Sequence, residues 1–403
     1  MISVQDAEAK ILAEATPLGI EEKSLLDALG LFLADEIAAP VNLPPFDNSA
    51  MDGYAARSTD LAAASPGAPA TIALIGTVAA GHVFGTPLEQ GEAVQIMTGA
   101  PIPPGADTVV ILEEARRRDG VVIIDHPVPA GRHIRRHGED VTAGRVVLPR
   151  GRRIRPAEIA LLSSLGISRV NVFRPPRVAI LATGSELVGV DQPLRPGTIR
   201  DSNSWVLESY LRSCHVPIVN GGIIPDAPQA VLQAFREAMA CDVILSSGGV
   251  SVGEHDLVKR ILLKEFDFRT IFWRVRMKPG KPLLFGRVKG TLIFGLPGNP
   301  ISCAVCFIRF IAPAIRKMMG DLHPLPATRR AVLKSAISIR EPEKTHFMTA
   351  TLEEGADRPH VTPTSHQGSG MLTSMTEGNA FIVVPEGAKE LPAGALVEVI
   401  QDA

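Results

Sequence analysis

The sequence predicts a multidomain protein with an α/β part and mostly-β parts, and three observations support this fold class. The chain has 403 residues, which corresponds to about two to four domains. Apolar runs alternate with helical patterns between residues 177 and 306, which is typical of a largely parallel, doubly wound sheet. Short β-prone runs separated by Gly and Pro clusters occupy residues 46–140 and 329–403, as in all-β structures.

Composition excludes some classes of partner. Lys and Arg number 41 against 43 Asp and Glu, so the formal net charge is −2, which argues against a general polyanion-binding protein. Aromatic residues make up only 4%, too few for a platform that stacks nucleic-acid bases. We therefore expect no nucleic-acid partner. The 36 Gly and 33 Pro residues instead predict a chain rich in shaped turns.

The beginning of the chain and its hydropathy predict a compartment. The first ten residues contain Asp6 and Glu8 and no basic region followed by an apolar core, so we expect no secretory signal. No apolar stretch reaches about 18 residues, so we expect no membrane span and a cytoplasmic protein. Cys303 and Cys306 form a C-x-x-C motif within an apolar predicted helix, without a second ligand pair. We interpret both as buried structural cysteines.

The N-terminal segment is expected to be helical. Two helices are predicted within residues 1–38, the second from the near-helical spacing of Leu25, Leu26, Leu29 and Leu33. A further helix is predicted from Pro156 to Leu165, with the proline in its first turn. The predicted domains are residues 1–45 with 141–173, 46–140, 174–322 and 323–403.

Strand and helix signals alternate through residues 174–322. Asp226 is a candidate N-cap of one helix, and Asn299 and Pro300 are the candidate N-cap and first residue of another. Gly290 suits a tight turn between two antiparallel strands. The predicted strands are 177–183, 216–224, 242–249, 283–287 and 291–295, and the predicted helices are 203–213, one near 255–264 and one from residue 300.

Ligands of such sheets bind beyond the carboxyl ends of the strands, and these ends carry unusual residues. Glycine-rich loops there can form nests of N–H groups for anions. The carboxylates Glu186, Asp226 and Asp256 suit Mg²⁺ together with substrate phosphate, although a helix cap or a solvated surface also explains them. The segment RVRMKPGKP adds the cations Arg274, Lys278 and Lys281, which suit phosphate. Neither a dinucleotide fingerprint nor a P-loop is present.

The β-rich region holds a second group of polar strings. Asp52 and Thr98 lie in PPFDNSAMDGYA and IMTGAPIPPGAD, and Arg135 and Asp140 lie in RRHGED. An Asx-type turn explains most such strings, and a basic run is usually a solvated face. A contact with a phosphate or oxyanion is the alternative.

Together these strings identify a family resemblance. PPFDNSAMDGYA, IMTGAPIPPGAD, RRHGED, LATGSEL, DSNS, SSGGVSVGEHD, MKPGKP and GLPGNP occur in the order found in the MoeA family of molybdopterin molybdenumtransferases, which is related to the gephyrin E domain. The resemblance implies an elongated helical/β N-terminal domain for dimerisation, a mostly-β domain, a doubly wound MogA-like domain that binds molybdopterin and a C-terminal β-barrel. It also implies a homodimer whose active site is shared between subunits.

The implied reaction inserts molybdate into adenylylated molybdopterin and releases AMP, with Mg²⁺ as cofactor. Its partners are these small molecules and, as a further expectation, other cofactor-biosynthesis proteins and recipient molybdoenzymes. The catalytic candidates are Asp52, Thr98, Asp140, Glu186 and Asp226, together with Arg135, which we hypothesise helps to place molybdate. The substrate-binding candidates are Thr183, Gly184, Ser185, Ser247, Gly248, Gly249, Ser251, Gly253, Arg274, Lys278, Lys281, Pro297, Gly298 and Pro300. The metal candidates are Glu186, Asp226 and Asp256.

Two details of the sequence and three alternative functions qualify this interpretation. Arg274 stands where some family members have Lys, which changes the geometry of its hydrogen bonds. Gln367 and Ser369 either contact substrate or form a turn. The alternatives are an adenylyltransferase built on the same type of sheet, a non-enzymatic, gephyrin-like scaffold, and a pterin or nucleotide carrier without turnover.

Overall fold

The structure, a computed structural model, describes residues 1–249 and 257–401, and these form two compact units. The large unit comprises Met1–Asp35, Gly151–Arg155 and Arg169–Ala403, and the small unit comprises Glu36–Arg150 and Pro156–Ser168. The four-part division expected from the sequence stays a prediction. None of the helices in the described part of the chain is long and apolar enough to cross a membrane.

A six-stranded sheet, here called the central sheet, organises the large unit. Its first four strands are parallel, and the last two are antiparallel to their neighbours. Three central strands are buried on both faces, which explains their nearly continuous apolar sequences. The prediction of a largely parallel sheet with one hairpin is confirmed, although it missed the edge strand Phe268–Trp273. The strand order is Ile218–Ile224, Val178–Thr183, Val243–Ser247, Thr291–Leu296, Leu284–Val288 and Phe268–Trp273.

Amphipathic helices pack on this sheet. The helix Pro228–Ala238 buries Val231 and Phe235, and the helix Leu257–Glu265 buries Val258 and Leu262 in the same core. The other helices of this region are Asn203–Ser213, Pro300–Cys306 and Ala312–Met318, and a π-helical turn, Phe307–Ile311, joins the last two. A short parallel pair consists of Leu187–Val188 and Ile199–Arg200.

The N-terminal segment corrects one prediction. The first helix is present as Val4–Glu14, with Ser3 as its side-chain N-cap. The second predicted helix is wrong, because Ile20–Ser24 forms a strand paired with Arg169–Phe173 and residues 25–30 form turns. Leu26 is 77% exposed, so the leucine spacing does not create an apolar face there. Tertiary strand pairing thus overrides the helical periodicity.

The C-terminal segment closes into a barrel of five strands. Thr345–Glu353 pairs with both His360–Pro363 and Ala380–Val384, and this double pairing closes the ring. The sequence predicts four strands here, at 331–339, 347–352, 381–385 and 396–400, and misses the third of the five in chain order, His360–Pro363. The barrel strands are Thr328–Leu333, Thr345–Glu353, His360–Pro363, Ala380–Val384 and Leu396–Gln401, with a helix Thr373–Glu377 and a short pair Ile337–Ser338 and Glu390–Leu391.

The small unit is built on a second six-stranded sheet, as the Gly- and Pro-punctuated sequence predicted. Apolar side chains such as Val110 and Val94 form a core on either face of it. The predicted helix at 156–165 is present as Pro156–Ser164. The sheet order is Thr108–Ile111, Gly53–Ala56, Glu92–Ile96, Ala70–Val78, Val121–Ile124 and Arg116–Arg118. The remaining elements are the pairs Ile37–Ala38 with Val146–Leu148 and Asn48–Ser49 with Ile134–Arg135, the helix Ser58–Leu61 and the 3-10 turn Leu112–Glu114.

Candidate functional site: the strand-end cavity and the motif cluster

A cavity of about 710 Å³ opens at the carboxyl ends of the central-sheet strands. Its volume is in the range of small-molecule sites, and it lies where ligands bind to open α/β sheets. We call it the strand-end cavity. Its described lining consists of Thr183, Gly184, Glu186, Asp226, Pro228, Gly248, Gly249, Leu257, Arg260, Pro282, Pro297, Gly298 and Asn299.

Glycine is required where the loops of this cavity approach one another. Gly248 has φ +87°, and a Cβ atom there would lie 2.3 Å from the carbonyl oxygen of Thr183. The Thr183 hydroxyl donates to the carbonyl oxygen of Ser247 at 3.2 Å. The backbone of neighbouring strand ends is therefore in direct contact, and Gly249, at φ +67°, continues the same loop.

Asn203, from the DSNS string, ties two loops together. Its amide donates to the Ser247 hydroxyl at 2.7 Å and to the Gly298 carbonyl oxygen at 2.8 Å. Ser247 is buried, so its hydroxyl holds the loop rather than facing the cavity. In the described part of the chain, the buried Oδ1 of Asn203 and Oγ of Ser246 have no hydrogen-bond partner.

Two predicted carboxylates, Glu186 and Asp226, line the cavity and are exposed. Asp226 and Ser185 bond reciprocally, because the Ser185 N–H donates to the Asp226 carboxylate at 3.1 Å and the Asp226 N–H donates to the Ser185 hydroxyl at 3.0 Å. The prediction that Asp226 caps a helix is wrong, since that helix begins at Pro228 with Ala227 as its N-cap. The side chain of Asp226 instead supports the loop after the strand Val178–Thr183.

The donor set at these two residues suits a hard cation. Mg²⁺ binds one or two carboxylates and completes its shell with substrate phosphate and water, so two carboxylates beside an open cavity fit it. Within residues 1–249 and 257–401, no three His, Cys, Asp or Glu side chains cluster as a ready-made metal site. The third predicted ligand, Asp256, and the predicted substrate residues Ser251 and Gly253 lie outside the described residues.

The predicted cations do not line the cavity. The Lys278 ammonium donates to the Glu341 carboxylate at 2.7 Å, and with Lys344 it lowers the pKa of Glu341 to about 2. Arg274 lies over the Trp273 ring at 4.0 Å, and Lys281 is half-buried. Of the MKPGKP string, Pro282 reaches the cavity lining.

The last strand-end loop reaches the cavity, as its sequence suggested. Pro297 and Gly298 line it, and Pro300 is the first residue of the following helix with Asn299 as N-cap. The Asn299 side chain does not cap the helix but donates to the Ser369 hydroxyl at 2.7 Å. The string containing Ser369 therefore supports a residue of the cavity lining.

Three further residues from the sequence analysis have structural roles. The Gln367 amide donates within its own region, to the carbonyl oxygens of Thr349 at 2.9 Å and Thr364 at 3.0 Å. Cys303 and Cys306 are fully buried, as expected, and burial raises the pKa of the Cys303 thiol to about 12. These thiols are therefore not reactive nucleophiles.

In the small unit, the polar strings come together as one group, here called the motif cluster and comprising residues 46–53, 96–102 and 134–140. The short strand Asn48–Ser49 pairs with Ile134–Arg135. The Ser49 N–H donates to the carbonyl oxygen of Ala100 at 3.0 Å, which adds the third string. The three strings, although far apart in sequence, therefore form a single cluster.

Asp52 and Thr98, two catalytic candidates, contact each other directly in the motif cluster. The Asp52 carboxylate accepts hydrogen bonds of 2.7 Å from the Thr98 N–H and from its hydroxyl, and these bonds lower the pKa of Asp52. Asp52 therefore stays ionised to lower pH than a free aspartate. Arg135 and Asp140 are exposed at the same cluster, and the Asp140 N–H donates to the Leu43 carbonyl oxygen at 3.1 Å.

Other carboxylates of these strings stabilise turns. Asp47 accepts hydrogen bonds of 2.7 Å from the His137 N–H and from the Arg136 guanidinium, and both lower its pKa. Asp107 accepts from the Ser58 N–H at 2.6 Å and from the Ser58 hydroxyl at 2.7 Å. For Asp47 and Asp107, the structure therefore agrees with a role in stabilising turns.

Sequence reasoning missed Arg260, which lines the strand-end cavity. It follows Leu257 by one helical turn, so both lie on one side of their helix. The helical period of residues 257–265 contained this signal, but it becomes specific only when the sheet shows which side faces the strand ends.

Comparison with protein families gives three matches along the chain. Residues 2–166 match the MoeA N-terminal region (domain I and II), residues 179–317 match a probable molybdopterin binding domain, and residues 330–401 match the MoeA C-terminal region (domain IV). The strand-end cavity lies within the second match, and the motif cluster lies within the first.

Full-length relatives agree with these matches. A molybdopterin molybdenumtransferase of Haemophilus influenzae is 35% identical and covers 99% of this chain and 98% of its own length. Molybdopterin molybdenumtransferase 2 of Mycobacterium tuberculosis (strain H37Rv) is 36% identical, with 99% of both chains covered. A crystal structure of the molybdopterin biosynthesis MoeA protein of Pyrococcus horikoshii OT3 superposes with a TM-score of 0.85 at 28% identity and covers both chains fully. The chain therefore belongs to the MoeA family.

Proposed function

We propose that the protein inserts molybdate into adenylylated molybdopterin, releases AMP and so gives the molybdenum-loaded cofactor. Its family makes it a transferase of molybdenum cofactor biosynthesis, because the curated relatives are molybdopterin molybdenumtransferases. The observation that carries the specific reaction is the strand-end cavity, where glycine loops and two carboxylates surround space for a phosphorylated small molecule.

The chain's own residues supply positioning and charge. The N–H groups of Gly249, Gly298 and Asn299 bind phosphate or pterin oxygens. The Gly248 N–H instead donates to the Leu296 carbonyl oxygen at 3.2 Å and holds the loop. Glu186 and Asp226, with Asp256, would hold Mg²⁺, which would supply positive charge to neutralise a phosphate group. Asp52 orients Thr98 through the two hydrogen bonds described above, and Arg135 attracts molybdate by its charge.

The proposal includes a homodimer. The motif cluster and the strand-end cavity both carry candidate residues, and we propose that one substrate is handled by the cavity of one subunit and the motif cluster of its partner. Mixed dimers test this idea. A dimer with Asp52→Ala in one subunit and Glu186→Gln in the other is expected to keep one intact site, and complete inactivity would contradict a shared site.

Release of AMP tests the reaction. Purified protein, adenylylated molybdopterin, molybdate and Mg²⁺ are mixed and AMP is measured by chromatography. Wild-type protein is expected to release AMP only when molybdate is present. Glu186→Gln and Asp226→Asn are expected to lower the rate about 10- to 100-fold, because each removes a charge that holds the metal. Glu237→Gln, an exposed acid on the helix Pro228–Ala238, is the matched control and keeps the wild-type rate.

A second assay completes the separation of the alternatives. An adenylyltransferase consumes ATP when molybdopterin, ATP and Mg²⁺ are mixed without molybdate, whereas a scaffold or a carrier without turnover releases no AMP in the first assay. Either result from the wild-type protein would reject the proposed reaction. A wild-type rate in both Glu186→Gln and Asp226→Asn would reject only their assignment to the metal.

A further inference from the structure

We infer that Arg260 is a substrate-binding residue, whose guanidinium binds a phosphate oxygen of the adenylylated substrate in the strand-end cavity. The inference rests on the proposed function and identifies a residue outside the recognised sequence strings. Three observations support it, concerning the helix that carries Arg260, the charge of the cavity and the partners of nearby cations.

The first observation is the fixed position of the helix Leu257–Glu265. Its residues Val258, Ile261 and Leu262 are buried in the core of the central sheet, so the helix cannot rotate without exposing them. Arg260 lies one turn after Leu257, and both line the cavity. The core thus fixes which side of the helix faces the strand ends.

The second observation is the charge of the lining. Among the described lining residues, Arg260 is the cation, whereas Glu186 and Asp226 are two carboxylates. Two carboxylates repel a phosphoanhydride, and their charge cancels that of one Mg²⁺ ion held by them, so the phosphoanhydride needs a further positive charge close to it. A guanidinium matches phosphate oxygens with two parallel donors, so Arg260 suits this requirement.

The third observation is the contrast with other cations of the region. Lys278 pairs with Glu341 at 2.7 Å, Lys264 lies 3.7 Å from Glu265, and Lys259 lies over the Trp273 ring at 3.5 Å. No ion pair or hydrogen bond connects the side chain of Arg260 to any described residue. No described residue therefore occupies the five N–H donors of its guanidinium, and a ligand can accept from them.

Equilibrium binding and steady-state kinetics test the inference. The dissociation constant of adenylylated molybdopterin is measured without molybdate, and KM and kcat are measured from AMP release. Arg260→Ala is expected to raise the dissociation constant and KM about 10- to 100-fold, because a charge-assisted hydrogen bond is lost. The value of kcat is expected to change less than KM, because a ground-state contact is removed. Arg260→Lys keeps the positive charge but loses the paired N–H donors of the guanidinium. Its dissociation constant and KM are expected to lie between those of the wild type and of Arg260→Ala.

Lys264→Ala is the matched control. Lys264 lies one turn beyond Arg260 on the same side of the helix and does not line the cavity. The dissociation constant of the Lys264→Ala variant is expected to lie within about twofold of the wild-type value. An unchanged melting temperature in all variants excludes unfolding as the cause of any loss. Wild-type affinity in Arg260→Ala, or equal losses in Arg260→Ala and Lys264→Ala, would overturn the inference.

The outcomes also separate this inference from the proposed function. Molybdate-dependent AMP release by the wild type with unchanged affinity in Arg260→Ala rejects Arg260 alone. Binding without AMP release by the wild type rejects the proposed reaction, while the ratio of dissociation constants still decides the role of Arg260. A wild type that does not bind adenylylated molybdopterin rejects both.

Discussion

The strand-end cavity and the motif cluster use polar residues in different ways. In the cavity, Glu186 and Arg260 border open volume, and the loops are held by backbone contacts and by Asn203 beneath them. In the motif cluster, Asp47 and Asp52 are bound to the chain's own N–H groups. A conspicuous string can therefore encode either a ligand contact or the loop that holds it, and only the hydrogen-bond partners distinguish the two.

Two glycines of the cavity test whether its loops depend on backbone contacts, and one of them gives the largest expected change in stability. Gly248→Ala is expected to lower the free energy of unfolding by about 2–4 kcal/mol, because φ is +87° and the new Cβ meets the Thr183 carbonyl oxygen. Gly298→Ala is the control, since a Cβ there has open space around it. Urea unfolding checks both, and equal stability of the two variants would show that the loop contact is not needed.

A second pair of variants distinguishes an aspartate that stabilises the small unit from one that is needed for activity. Asp107→Ala is expected to destabilise the protein by about 1–3 kcal/mol, because two hydrogen bonds to Ser58 are lost, with little change in the activity that remains. Asp52→Ala, at an exposed position, is expected to lower the rate of AMP release at least about tenfold with a smaller loss of stability. Thermal unfolding and AMP release are measured on both. If Asp107→Ala lost mainly activity and Asp52→Ala lost mainly stability, the two assignments would be reversed.

The smallest effect concerns the surface ion pairs of Glu341. The pKa of Glu341 is about 2, below the ordinary 4.5, so its pairs with Lys278 and Lys344 stabilise the fold fully above pH 4.5 and lose their effect as pH falls towards 2. Glu341→Gln is expected to lower the melting temperature by about 1–3 °C at neutral pH, and the difference shrinks at acid pH. A difference that grows on acidification would contradict this assignment.

Much of the fold followed from sequence periodicity. The buried strands and the hairpin were predicted because a doubly covered sheet needs long apolar runs. The false helix near Leu26 arose because pairing of Ile20–Ser24 with Arg169–Phe173 depends on a partner almost 150 residues away. The edge strand Phe268–Trp273 was missed because an edge position gives weaker burial.

The candidate site was predictable to a similar degree. Topology predicted that Thr183, Gly248 and Pro297 would meet at one end of the sheet, and they line one cavity. It did not predict that Asp226 would bond to Ser185, or that Arg260 would reach the cavity. Side-chain direction depends on packing, and a sequence pattern does not contain that information directly.

The attachment of the MKPGKP string to the barrel has a consequence for deletion variants. Met277–Lys278 adds to the barrel strand Thr345–Glu353 as a parallel neighbour, and Ser369 holds Asn299 at the cavity. Removing residues 323–403 would therefore leave an unpaired strand edge and an unsupported asparagine. The α/β segment of this chain is thus not an autonomous module that can be excised cleanly, even though its sheet is complete without the barrel.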